Sequence, residues 1–267
     1  RNVHVVNTDR IHIPVWGTYI TTPMVSADNA SVRLEMSIDG CRKGEKIDVI
    51  TDIVSPDGIT VSSNKAVYVA HGQKFFQNFI VDRPMLWSLE SPSVYTAKTR
   101  LLADGREVDT YDTKFGIRKL EYIPEKGFFL NGKSTKFKGV CNHHDLGPLG
   151  AAVNRSALRH QIEIMKNMGA NAIRTSHNMP APELVELCDE MGVMLMVEPF
   201  DDWGYKPKSP NGYGAFFNEW AERDMTNMLM QYRNNPSVVM WSIGNEVPSQ
   251  WSPDGISELT MLQDIVK

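Results

Sequence analysis

Up to about residue 117 the apolar positions recur at every second residue in short runs. Val32, Leu34, Met36 and Ile38 alternate with Arg33, Glu35 and Ser37, and Tyr95, Ala97, Thr99 and Leu101 alternate with Thr96, Lys98 and Arg100. That period belongs to a strand with one face in a core. Asp39-Gly40, Ser55-Pro56-Asp57-Gly58, His71-Gly72 and Asp104-Gly105 separate the runs as turns. Arg1 to Val6 also reads as a strand. Roughly seven strands in about 115 residues predict an antiparallel sandwich of immunoglobulin type. Trp87, in a loop bounded by Pro84 and Pro92, is expected to pack between this sandwich and its neighbour.

Beyond about residue 118 the rhythm changes. A connector carries Phe129-Leu130-Asn131-Gly132-Lys133, whose Asn-Gly favours a type I′ hairpin. Val140 closes a short strand; Leu158, Ile162, Met165 and Met168 share one helical face, with Gly169 where a C-terminal cap belongs. A strand over 172–175 and a helix from Pro182 to Met191, ended by Gly192, come next. An apolar strand from Val193 to Val197, an amphipathic helix from about Phe216 to Arg233, and a buried strand from Asn234 onward complete the series. At the C-terminal tip of that last strand stand Asn245 and Glu246. Strand–helix units in sequence imply a parallel sheet, and four of them are half of a (β/α)8 barrel. The chain is therefore expected to be multidomain: an all-β immunoglobulin-like sandwich over 1–117, then the first half of a TIM barrel over 118–267.

Composition narrows the function classes. The length of 267 residues suits two domains. A net charge of -4 with no long basic run argues against nucleic acid as the main partner. No apolar stretch reaches the length of a membrane span, so the chain reads as soluble and without a membrane partner. Cys41, Cys141 and Cys188 are widely spaced and read as small core residues rather than a disulfide framework or a zinc site. The chain begins without Met or a signal peptide and reads as an excised piece, leaving its compartment open between cytoplasm, periplasm and secretion.

Each strand of the second half runs at once into a polar cluster: Asn142-His143-His144-Asp145, Arg174-Thr175-Ser176-His177-Asn178, Glu198-Pro199-Phe200-Asp201-Asp202-Trp203, and Asn245-Glu246. In an α/β barrel these ends open on one face, so the clusters are expected to converge on a pocket. The set suits acid-assisted chemistry on a polyhydroxylated ligand. Glu246 is placed to protonate a leaving oxygen, and His143, His177, Asn178 and Asp201 to bind hydroxyls. Each has a plainer reading. Glu246 is otherwise a strand-end carboxylate paired with an arginine, Trp203 either a sugar platform or core packing, and Arg174 either a structural ion-pair partner or the group that orients Glu246. His143, His144, His177 and Asp201 lack the His-x-His or HExxH spacing of a zinc site.

The stretch from Asn171 to Asn178, running on through Cys188-Asp189-Glu190-Met191-Gly192-Val193, resembles one signature of glycoside hydrolase family 2. The stretch from Arg233 to Glu246 resembles that family's acid/base signature, ending in the same Trp-Ser-x-Gly-Asn-Glu. Gly139-Val140-Cys141-Asn142-His143-His144-Asp145 looks more like its β-galactosidases than its β-glucuronidases or β-mannosidases.

The resemblance implies roles for several residues. Glu246 would be the acid/base, Asn245 would bind the hydroxyl beside the anomeric carbon, His177 would support the transition state, and His143 and Asp201 would line the sugar subsite. It also implies hydrolysis of terminal β-galactosides with retention, the nucleophile following a seventh strand that this chain lacks, so that the chain alone is expected to be inactive; the alternatives are a β-glucuronidase or β-mannosidase of the same family, or a non-catalytic carbohydrate-binding or scaffold protein. Two departures stand out: Asn178 replaces a frequent Tyr, and Phe200-Asp201-Asp202-Trp203-Gly204 replaces the motif by which some members bind Mg²⁺. No cofactor or metal requirement is therefore expected. Unpaired strand edges in half a barrel lead us to expect a homo-oligomer.

Overall fold

The computed structural model describes residues 2–267. Seven strands build the sandwich: β1 (Thr18–Val25), β2 (Asn29–Met36), β3 (Lys46–Val54), β4 (Thr60–Val69), β5 (Phe75–Asp82), β6 (Tyr95–Ala103) and β7 (Arg106–Phe115). They form two antiparallel sheets, ordered β1-β2-β5 and β4-β3-β6-β7. Alternation decides which side chains turn inward: Val32, Leu34 and Met36 of one sheet meet Ile47, Val49, Ile53 and Leu101 of the other. Two hydroxyl pairs inside this core satisfy each other, Thr51 with Thr99 at 3.0 Å and Thr18 with Thr113 at 2.9 Å.

The strand expected at the start is absent from Asn2–Asp9, where Val3 and Val5 are 90% and 98% exposed. No strand pairs with them among the described residues, and alternation without a partner does not make a strand; Arg1 lies outside the described residues.

Three short antiparallel strands follow, β8 (Leu120–Ile123), β9 (Gly127–Leu130) and β10 (Lys133–Ser134). Asn131 and Gly132 both have positive φ, +53° and +77°, as a type I′ turn requires. The side chain of Asn131 accepts from Lys119 N–H and donates to the Trp87 carbonyl, tying the hairpin to the sandwich. One compact unit therefore comprises residues 2–136 with Arg233–Pro236, and the other 137–232 with 237–267. Trp87 has no exposed surface, and its N–H donates to Ile117 O.

The second unit alternates strand and helix: β11 (Gly139–Asn142), α1 (Arg155–Asn167), β12 (Ala172–Thr175), α2 (Pro182–Met191), β13 (Met194–Val197), α3 (Phe217–Tyr232), β14 (Val238–Trp241) and α4 (Pro253–Val266). The strands lie side by side in chain order, all parallel. Asn154 and Ser252 cap α1 and α4 through their side-chain oxygens, and Gly192, left-handed at φ +69°, ends α2. Ile173, Leu195, Val197 and Val238 share one core with Leu158, Ile162, Val185, Met225 and Met228 of the helices. On the opposite face, Cys141, Arg174, Met196 and Met240 form a row across the sheet and are only partly covered.

Three expectations shift here. Met168 is 64% exposed, because α1 ends at Asn167 and Gly169, at φ +95°, turns the chain off that face. Val140 lies inside β11 rather than closing it. The long strand expected from Asn234 is four residues, Val238–Trp241, matching the length of β13; Asn245 and Glu246 lie beyond its end in irregular chain. No helix among the described residues is long and apolar enough to cross a membrane.

Within the sandwich unit, a Cβ added to Gly116 would lie 2.4 Å from Pro236 Cβ and 3.1 Å from Trp87 Cβ. Gly116→Ala is expected to destabilise the protein by about 1–3 kcal/mol through overpacking, read as a lower urea midpoint.

Candidate active site

Parallel pairing brings four strand ends together. Asn142 of β11 is in register with Thr175 of β12, Arg174 with Met196 of β13, and Val197 with Trp241 of β14. The residues just past those ends are thereby neighbours, although they lie far apart in the chain.

Glu198, the first residue after β13, has no exposed surface. Its N–H donates to Thr175 Oγ1 at 3.0 Å. One carboxylate oxygen faces His177 Nδ1 at 2.7 Å; the other accepts from Arg174 Nε at 2.9 Å and from the Ser242 hydroxyl. The guanidinium extends the chain of contacts, its Nη2 donating to Asn245 Oδ1 at 2.9 Å. Asn245 Nδ2 donates to Asp201 Oδ1 at 3.2 Å, and Lys208 Nζ reaches both that oxygen, at 3.3 Å, and the Asn245 carbonyl, at 2.6 Å. One network thus runs from His177 through Glu198, Arg174 and Asn245 to Asp201 and Lys208. The His143 ring meets His177 edge-on, with centroids 5.0 Å apart.

Glu246 follows at φ +45°, a left-handed conformation that residues with side chains rarely adopt and that concentrates at functional sites. It is exposed and makes no hydrogen bond or ion pair among the described residues.

Residues 122–266 match the model of glycosyl hydrolases family 2, TIM barrel domain, and residues 11–118 match that of glycosyl hydrolases family 2. The chain belongs to glycoside hydrolase family 2. It is 43% identical to the β-galactosidase BoGH2A of Bacteroides ovatus over 94% of its length, and 27% identical to a β-glucuronidase of Bacteroides fragilis over 92%. The crystal structure of a family 2 member from Bacteroides cellulosilyticus superposes with a TM-score of 0.93 over 97% of the chain at 35% identity. The chain spans about a third of each: 30%, 37% and 34% respectively. Its sandwich and parallel sheet are accordingly the immunoglobulin-like domain and the start of the TIM barrel of this family.

Of the residues singled out in sequence, the fold brings His143, His177, Arg174, Asp201 and Asn245 together, with Glu246 next in the chain. Asn178 stays outside the network; it is exposed and its amide donates to the carbonyl of His177. Trp203 is a correction. It is only 4% exposed, its Nε1 donates to Ile243 O at 2.8 Å, and it fills the space left by Gly244, where an added Cβ would lie 2.5 Å from that nitrogen. No ring face remains for a sugar, so the indole is core packing. A small open cleft lies under the 142–153 loop, bordered by His143, Thr175, Leu158 and Leu184, and does not include the Asn245–Glu246 segment.

Sequence reasoning placed Glu198 in a converging cluster but gave it no role, and missed Ser242 and Lys208 as members of the site. Glu198 carried the same signal as Glu246, a carboxylate directly after an apolar strand; the other two are evident only from contacts across the fold.

The electrostatics follow these contacts. Burial works against the Arg174 charge, yet hydrogen bonds to Glu198 and Cys141 raise its pKa above the ordinary arginine value. Burial likewise pushes Asp201 up, but the hydrogen bond from Asn245 and the Lys208 ammonium more than offset it and hold the carboxyl below its usual range.

Two outcomes are expected. Arg174→Met strands a fully buried carboxylate and should cost about 3–5 kcal/mol in a urea titration, part of it regained in Arg174→Met/Glu198→Leu. Because the folded-state pKa of Asp201 is depressed, its stabilisation is present above the ordinary carboxylate range and is lost as pH falls through the lower folded value. Asp201→Asn should therefore flatten the acid side of a stability–pH curve.

Proposed function

We propose that this chain is part of a retaining glycosidase acting on terminal β-galactosides, with Glu246 as the acid/base. The observation that carries the reading is the contrast at the end of β14: Asn245 is held on both side-chain atoms and on its carbonyl, while the adjacent Glu246 carboxyl is left free and exposed. A proton donor needs that combination, a fixed backbone beneath a carboxyl open to a ligand.

In the first step Glu246 gives its proton to the glycosidic oxygen as the bond to the anomeric carbon breaks. A second carboxylate, about 5–5.5 Å away, attacks that carbon from the opposite face and forms a glycosyl-enzyme. We assign that nucleophile to protein outside this chain, which makes the chain alone inactive. In the second step Glu246 takes a proton from water as the water oxygen attacks the anomeric carbon and displaces the nucleophile's carboxylate, releasing the sugar with its configuration retained. Asn245 retains an Nδ2–H for the neighbouring hydroxyl. The His177 Nδ1–H, donated to Glu198, fixes the ring and leaves Nε2 for the substrate, with His143 beside it. Galactose is favoured by the 43% identity to a β-galactosidase, and β-glucuronidase is the second reading because relatives of that name match at up to 36%.

Full-length enzyme assayed on aryl β-galactosides, β-glucuronides and β-mannosides should prefer the galactoside, and Glu246→Gln should lower kcat by about 10²- to 10⁴-fold on a phenyl glycoside. Preference for another sugar would replace the substrate assignment, and an unimpaired Glu246→Gln enzyme would remove Glu246 from the chemistry.

A further inference from the structure

Lys208 lies in the loop between β13 and α3, in the run Lys206-Pro207-Lys208-Ser209-Pro210, which in sequence resembles a solvated surface turn. The fold gives it two fixed ends. Its main-chain N–H donates to Asp202 Oδ2 at 3.0 Å, and Asp202 is itself only 3% exposed, its other oxygen accepting from Trp203 N–H at 3.1 Å. The same loop is held from α4, where Glu258 Oε1 accepts from Tyr205 N–H at 2.8 Å. At the far end, the Lys208 ammonium donates to the Asn245 carbonyl at 2.6 Å and to Asp201 at 3.3 Å, with the side chain 25% exposed.

The carbonyl it holds belongs to the peptide that joins Asn245 to Glu246. Carbonyl and following N–H share one rigid plane, so tilting that plane rotates the φ of Glu246. That φ stands at +45°, and nothing intrinsic to a glutamate favours it. A charge-assisted hydrogen bond from a lysine braced at both ends is a means of keeping it there.

We propose that Lys208 is a positioning residue for the acid/base: it locks the Asn245–Glu246 peptide so that the Glu246 carboxyl stays aimed at the leaving-group oxygen. The inference rests on the role given to Glu246 above. It separates Lys208 from a residue that merely stabilises its loop, because a misaimed acid harms only substrates that need protonation. A phenolate leaving group needs the proton; a dinitrophenolate departs without it.

The test compares Lys208→Met with wild type in the full-length enzyme, using kcat/KM for the phenyl and 2,4-dinitrophenyl β-galactosides, a parameter that reports the first bond-breaking step. The expected result is a loss of about tenfold or more on the phenyl substrate, part of the factor a general acid supplies, with the dinitrophenyl value within about twofold of wild type. An equal loss on both substrates, or a loss on neither, overturns the proposal. Should the methionine variant fail to accumulate, Lys208→Gln, whose amide donates over a shorter reach, is measured in the same way. If wild type hydrolyses neither galactoside, the sugar assignment fails, and the comparison moves to the phenyl and dinitrophenyl glycosides of the sugar it accepts. If Glu246→Gln does not itself lower the phenyl value selectively, the role of Glu246 fails, and that of Lys208 with it.

Discussion

A carboxylate taken out of water costs several kcal/mol unless a cation and hydrogen bonds replace its hydration, and Glu198 is placed where no surface remains to it. Its environment is therefore tightly constrained. Arg174 must present its guanidinium from β12, Ser242 its hydroxyl from the chain after β14, and His177 its Nδ1 from the turn after β12. Each group that answers this demand is thereby placed for something else: Arg174 Nη2, 2.8 Å from Glu198, also donates to Asn245, and His177 is left with one ring nitrogen. The buried acid is the hub from which the orientation of the exposed groups follows.

A second device acts on the chain after β14, and it comes from the loop that Glu198 begins. Trp203 takes the Ile243 carbonyl and occupies the space above Gly244, and Lys208 takes the Asn245 carbonyl. Asp202, buried beneath, sets the turn that carries both. One loop thus folds back on itself and grips its neighbour's backbone at alternate residues, a task for which flexible side chains alone would be poorly suited.

The architecture was largely legible because it rests on periodicity. Alternation in Val32 to Ile38 marked a half-buried strand, and the apolar run ending at Val197 marked a strand covered by helices. What failed were the ends of elements, where packing overrides pattern: Met168 continues a helical period that the helix does not. The converging clusters were legible too, since any strand end in such a sheet points the same way. Their internal wiring was not. Trp203 beside two aspartates resembles a ligand platform, and only its contact with Gly244, in a different strand–helix unit, shows it as packing. Lys208 lies among prolines, serine and another lysine, and no local rule distinguishes it from a solvated turn.

The grip on main-chain oxygens also bears on how the site can evolve. A hold on a side chain is lost when that side chain changes, whereas the carbonyls of Ile243 and Asn245 persist whatever residues stand there. Exchanging the amide at position 245 would give up its holds on Arg174 and Asp201 but leave the one on its carbonyl. Position 244 has no such latitude, because any side chain there would strike the indole. Of two adjacent positions, one keeps a main-chain anchor whatever residue stands there, and the other admits only glycine.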